Sequence, residues 1–291
     1  MEIRCLRSRR VVTPDGVRAG CVQMARGRIV AVGDWDAVPE GCPLEDAGDF
    51  VLMPGIVDTH VHVNEPGRSD WEGFETATRA AAAGGVTTLM DMPLNSIPPT
   101  TTPGGLEAKQ RAAEGKCRVD VALCGGLVPG NAQELGRVFQ GGARAFKCFL
   151  AESGVDEFPH VTESDLAEGM RHLADIGAPL LVHAELPGPL EEAALVASGA
   201  SGSSGEPSPE EARRYARYLA SRPKRAEEEA VEMVFRLAAR FGTRTHIVHL
   251  SAATALPLLR RARDAGLPVS AETCPHYLSF AAEEIPDGAC A

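Results

Sequence analysis

Hydrophobic positions change their rhythm near Pro54. Before that point apolar and polar residues alternate over short runs broken by turn residues, the pattern of β-strands with one wet face. "VVTPDGV" carries an Asp-Gly turn, and "VQMARGRIVAVGD" is a hairpin pattern with its turn at Arg26-Gly27. Residues 1–53 therefore make a small β-rich section, too small to bury a core alone. From Pro54 onward continuous apolar runs alternate with amphipathic ones. Strands are expected at 55–63, 86–92, 119–126, 145–150, 179–185, 244–251 and 267–275. Helices are expected over 70–85, 102–115, 131–142, 162–177 and 224–242, several beginning at Thr, Asp or Asn and ending at Gly. Repeated βα units with apolar strands point to an α/β fold with a parallel sheet. Seven strands in this rhythm predict a TIM-type (β/α)8 barrel over 54–291 that lacks its last strand, with chemistry at the C-terminal strand ends. The small, polar stretch "LVASGASGSSGEPSP" (195–209) reads as a mobile loop.

Composition narrows the partners. The 291 residues are 44% hydrophobic and 24% charged, ordinary for a globular protein, and the formal net charge of -11 argues against nucleic acid or an anionic membrane as partner. Eight cysteines are scattered through apolar segments with no C-x-x-C pair, which suits reduced thiols rather than a disulfide framework. The start "MEIRCLRSRRVV" has no apolar signal core, and no run approaches a membrane span, so the cytoplasm is the expected compartment.

The polar residues near the strand ends carry the chemistry. In "GIVDTHVHVNEPGR" the two-residue period sends Asp58, His60, His62 and Asn64 to one side, while Ile56, Val57, Val61 and Val63 argue for a buried strand. The fourth strand holds Lys147 between Phe146 and Phe149, where desolvating an ammonium is costly. The fifth ends in His183, and the sixth carries His246 and His249, which differ in parity, so one of the two is structural. A neutral lysine amine reacts with carbon dioxide to give a carbamate, an anionic ligand able to bridge two metal ions. Burial lowers the lysine pKa from about 10.4 toward the range this needs. Taken singly, H-x-H is a surface pair, Lys147 a snorkelling cation and each lone histidine a core residue. Their order along successive strands instead suits a two-metal hydrolytic centre of imidazole and oxygen ligands. His160, His172 and His276 lie in helix or loop contexts and read as structural.

With these residues in place, the chain resembles the cyclic amidohydrolases of the urease-related superfamily, and within them the allantoinases. The stretches that carry the likeness are "PGIVDTHVHVNEPGR", "WEGFETATRAAAAGGVTTLMDMPLNSIPPTT", "AFKCFLAESGVDEFPHV", "LLVHAE", "ASRPKRAEEEA", "HIVHLS" and "ETCPHYLSF", together spanning about residues 54–280. The resemblance implies metal ligands at His60, His62, His183 and His249, with Lys147 N-carboxylated and bridging. It implies two divalent ions, zinc first, with cobalt, manganese or iron as alternatives. It also implies a β-sandwich that the N-terminal strands begin, and a homo-oligomer, with the tetramer as its form.

Dihydroorotases of this type carry Arg two residues after the second histidine, to hold a substrate carboxylate; Asn64 stands there instead and suits neutral allantoin. "MPLNS" replaces their "MPNT", and dihydropyrimidinases usually lack the N-E-P-G run. The expected reaction is opening of the hydantoin ring amide of allantoin to allantoate by a hydroxide activated between ions about 3.5–4 Å apart. Asp58 is expected to support a ligand histidine, and Asn64 and Asn95 to contact the substrate. The family's proton-shuttling aspartate belongs to an eighth strand, which would lie beyond Ala291, so a fragment or a chain of little activity is expected. Competing readings are a hydantoinase, dihydropyrimidinase or dihydroorotase activity, or a non-catalytic scaffold.

Overall fold

The structure is a computed structural model that describes residues 3–197 and 208–288. The chain divides into two compact units, Met1–Val57 with Gly85–Thr87, and Asp58–Gly84 with Thr88–Ala291.

In the first unit β1 (Arg4–Thr13), β2 (Gly16–Ala25) and β3 (Arg28–Gly33) form an antiparallel meander. The second reversal falls at Arg26 and Gly27, where the sequence places it. Both have positive φ, 52° and 70°, which two-residue hairpin turns demand because their twist then matches that of the strands. Two short strands, β4 (Leu44–Asp46) and β5 (Val51–Leu52), pair with β1 in parallel. The β1–β2 register shifts between Ser8 and Val11, a bulge closed by Arg10 N–H donating to Ser8 Oγ at 2.9 Å. Cys5, Ser8, Val11, Cys21 and Val22 are buried, whereas Val17, Ile29, Val30 and Phe50 are exposed.

The second sheet has seven strands in sequence order: β6 (Ile56–Val61), β7 (Val86–Asp91), β8 (Asp120–Gly126), β9 (Ala145–Phe149), β10 (Leu180–His183), β11 (Thr245–Ile247) and β12 (Val269–Ala271). Every ladder from β7 to β12 is parallel, and each strand falls inside its expected range. The sheet curls: His60 on β6 and Glu272 just beyond β12, at opposite ends of the strand order, come within 2.6 Å. This is a barrel wall of seven strands.

Position in the sheet sets burial. β9 is the fourth strand of seven, flanked on both edges, and all five of its residues are buried. β6 is an outer strand, and here the expectation of a buried strand fails, since Ile56 is 49% and Val57 59% exposed. Apolar composition reports what a strand can cover, while strand order decides what covers it.

The helices are α1 (Phe74–Ala83), α2 (Pro103–Ala113), α3 (Leu135–Gln140), α4 (Glu163–Asp175), α5 (Pro187–Ala197), α6 (Pro209–Ala212), α7 (Tyr215–Ala220), α8 (Lys224–Phe241) and α9 (Leu256–Asp264). Thr162 caps α4 by accepting from Asp165 N–H at 3.3 Å, and Asp165 returns a bond from Thr162 N–H at 3.0 Å. Leu166, Met170 and Leu173 of α4 and Val231, Val234 and Phe235 of α8 join Phe146, Leu180 and Val182 in one core. Helices α5, α6, α7 and α9 add to the five that the sequence pattern predicts. Of the expected loop at 195–209, residues 195–197 end α5 and Ser208 caps α6, while 198–207 lie outside the described residues. No described helix is long and apolar enough to cross a membrane.

Candidate metal centre

The sheet delivers the candidate ligands to one mouth. His60 is the penultimate residue of β6 with His62 just past its end, His183 ends β10, and His249 lies two residues beyond β11. Lys147 is the middle residue of β9. Ring centroids are 5.5 Å apart for His60–His62 and His60–His249, and 4.7 Å for His183–His249. Lys147 Nζ lies 3.4 Å from His60 Nε2, and His183 Nδ1 lies 3.1 Å from His249 Nε2. All five residues are thereby gathered, and Phe149 stacks on His183 at 4.6 Å. No group of three or more His, Cys, Asp or Glu among the described residues is already arranged to hold an ion. The imidazoles instead bond each other and nearby carboxylates: His183 contacts His249 and Glu185, and His60 contacts Glu272.

Electrostatics separate two lysines that are equally buried. Lys109 pairs with Asp91 and donates to the carbonyls of Val63 and Met92 at 3.2 and 3.3 Å. Lys147 has only the His60 nitrogen and the Phe149 ring face at 5.0 Å, with no carboxylate in ion-pair distance among the described residues. Burial pushes the Lys147 amine down to about 8. Burial first, then the Lys147 charge, pushes His62 and His249 down to about 3, so both rings are neutral. The site holds a buried amine with no carboxylate at ion-pair distance among the described residues, beside the neutral rings of His62 and His249. That donor set fits a divalent cation.

Several residues that sequence reasoning missed hold this arrangement. Glu272 bonds His60 Nδ1 at 2.6 Å and approaches His246 Nε2 at 3.3 Å. Burial opposes its charge, but hydrogen bonds to His246 and His60 hold its carboxyl well below the usual range. Asp58, expected in that role, is exposed and, among the described residues, accepts the backbone N–H of His60 alone, at 3.1 Å. Glu227 reaches from α8 to accept Ser251 N–H at 3.0 Å and Ala252 N–H at 2.6 Å, fixing the turn after His249, whose φ is +40°. Asp91 accepts Val63 N–H at 2.7 Å while Lys109 takes Val63 O, pinning the residue after His62. Glu185 receives His183 and Arg222, each at 2.9 Å. His246 bonds Ser270 Oγ at 2.8 Å and Glu272 instead of entering the cluster. Asn95, at φ 68°, donates toward His62 Nδ1 at 3.4 Å, and buried Asn64 has its Oδ1 unpartnered.

The model of the Amidohydrolase family matches residues 51–287. The chain belongs to the amidohydrolase family. This amidohydrolase is 51% identical over 98% of its length to the allantoinase of Streptomyces avermitilis, of which it covers 61%. It is 45% identical over 99% of its length to the mitochondrial allantoinase of Aquarana catesbeiana, covering 57% of that protein. It thus spans about three fifths of the length of these relatives. Among solved structures it superposes on the L-hydantoinase (dihydropyrimidinase) of Arthrobacter aurescens with a TM-score of 0.87 and 30% identity, covering 97% of this chain and 60% of that one. Membership implies a divalent metal cofactor.

Proposed function

We propose that this chain carries the metal-binding part of an allantoinase, which opens the hydantoin ring amide of allantoin to give allantoate. The observation that supports this reading most is the convergence of His60, His62, His183 and His249 around Lys147, whose buried amine has no carboxylate at ion-pair distance among the described residues. In this reading the four imidazoles and an N-carboxylated Lys147 hold two divalent ions, with zinc as the first candidate. When bound, such ions polarise an amide carbonyl and lower the pKa of a water to near 7.

The remaining work falls to the chain's own groups. Glu272 fixes the tautomer of His60 by accepting at Nδ1, which leaves Nε2 as the donor atom. Asn64 offers a buried oxygen with no partner, suited to accepting a ureide N–H, and leaving that oxygen unmatched would be costly for a wrong substrate. Asn95 lies against His62 and is the second substrate contact we infer. A barrel over 54–291, a sandwich portion over 1–53 and a homo-oligomer, tetrameric by resemblance, complete the proposal. The seven free thiols among the described residues suit a reducing compartment such as the cytoplasm.

The full-length protein assayed side by side on allantoin, hydantoin, dihydropyrimidine and dihydroorotate tests the substrate. Ring opening confined to allantoin is expected. Turnover of hydantoin or dihydropyrimidine with allantoin untouched would replace this reading by the hydantoinase one, which the fold match at TM-score 0.87 favours as second choice, and turnover of dihydroorotate alone would replace it by the dihydroorotase one. Metal analysis showing no bound divalent ion would remove both. Sedimentation of the same protein tests the tetramer.

A further inference from the structure

One pair of thiols stands apart from the metal centre. Cys5 lies on β1 and is buried, and Cys42 is half-buried at the turn that leads into β4. Their sulfurs are 3.0 Å apart. The backbone sets this approach: Cys5 N–H donates to Pro43 O at 2.8 Å, and Cys5 faces Leu44 in the parallel β1–β4 ladder. Cys42 N–H donates to Pro39 O at 3.1 Å, which closes the turn behind it. A disulfide bond is about 2.0 Å long, so about 1 Å of further approach makes one. No other two thiols share a hydrogen bond among the described residues; Cys124 and Cys148 lie wholly buried in the sheet core.

We propose that Cys5 and Cys42 form an oxidation site, which a small dialkyl disulfide converts into an intramolecular bond. The Cys42 thiolate, the more accessible, attacks one sulfur of the reagent; the reagent's S–S bond breaks, and one thiolate leaves. The Cys5 thiolate then attacks Cys42 Sγ, forming the internal bond and expelling the second thiolate. The two thiol protons end on the two released thiols, so the protein pair loses two electrons and the reagent gains them. The product closes a chain segment of sequence separation 37 that contains β2, β3 and all of β1 past Arg4. Constraining that segment in the unfolded state is what stabilises the oxidised form. The hydrogen bond to Cys5 pushes the Cys42 thiol up to about 11, so the first attack is slow near neutrality and accelerates about tenfold per pH unit between 7 and 9.

The test is oxidised glutathione in excess on the whole chain, alkylation, digestion without reductant and mass spectrometry. The expected result is a Cys5 peptide joined to the Cys42 peptide, released by dithiothreitol, with a Tm raised by about 5–10 °C over the reduced protein. In Cys5→Ser, Cys42 should be trapped as a stable glutathione adduct; in Cys42→Ser, the Tm rise should vanish while circular dichroism stays native. Recovery of both peptides alkylated, a link from either residue to another cysteine, or a Cys42 left unmodified in Cys5→Ser would overturn the proposal.

Discussion

Lys109 and Lys147 are both fully buried, yet the same substitution should act on them in opposite directions. Lys109→Met strands the Asp91 carboxylate and two carbonyls without their donor, and should destabilise the metal-free protein by about 3–5 kcal/mol. Lys147→Met removes an ammonium that has no anion and fills its space with an apolar chain of similar length. It should leave the metal-free protein as stable as the parent or raise its stability by about 1–3 kcal/mol, while bound metal is lost. Urea unfolding of both variants after chelation, with metal analysis before it, reads both effects. A Lys147→Met protein that unfolds as early as Lys109→Met would show that the ammonium has a partner in solution. Lys147 was legible in the sequence because "AFKCFL" sets a cation in an apolar strand. Lys109 was not, because "LEAKQRA" looks like a solvated helix face, and only the packing of α2 turns that lysine inward.

At the scale of elements, α8 decides where the turn after β11 sits. Its segment "AEEEA" offers three consecutive acids, and no local pattern says which is functional. The helix phase turns Glu227 inward with Ala226, Ala230 and Val231, whereas Glu228 meets Thr254 and Glu229 meets Arg225. Glu227→Ala leaves the N–H groups of Ser251 and Ala252 without an acceptor beside a histidine at positive φ, and should cost about 2–3 kcal/mol. It should also weaken metal retention against a chelator. Glu227→Gln keeps one acceptor oxygen and should recover most of the stability and of the metal affinity. Equal metal affinity in parent and Glu227→Ala would confine Glu227 to stability alone. The seven strands were legible because their apolar runs are continuous. Helix α9 was not, because Pro257 near its start masks the Leu258, Leu259 and Ala262 stripe that packs on the core. The exposure of β6 is written in no residue of the strand itself; it follows from a barrel wall of seven strands, which leaves β6 at an edge as the expected lack of an eighth strand implies.

For the whole molecule, the candidate ligands come from β6, β9, β10 and β11, so any ion they share joins elements far apart in the chain. The likeness of "THVHV", "AFKCFL", "LLVHAE" and "HIVHLS" to a family was enough to collect these strands, because each motif is local. What no motif contained was the second set of contacts: Glu272 reaching across from the far end of the strand order to His60, and the Glu185–Arg222 pair behind His183. Those depend on sheet curl and helix placement, which only the assembled fold supplies. The linkage has a measurable consequence. An ion that binds the folded chain and not the unfolded one stabilises it by about 2.7 kcal/mol at one hundred times its dissociation constant. For a chain of this size that corresponds to a Tm about 4 °C higher. Dialysis against a chelator should therefore lower the Tm by that amount, and zinc should restore it. The shift should be absent in Lys147→Met and reduced in Glu227→Ala. If the parent's Tm stays constant across the same zinc titration, the gathered histidines do not bind the ion in the folded chain, whatever their likeness to a family.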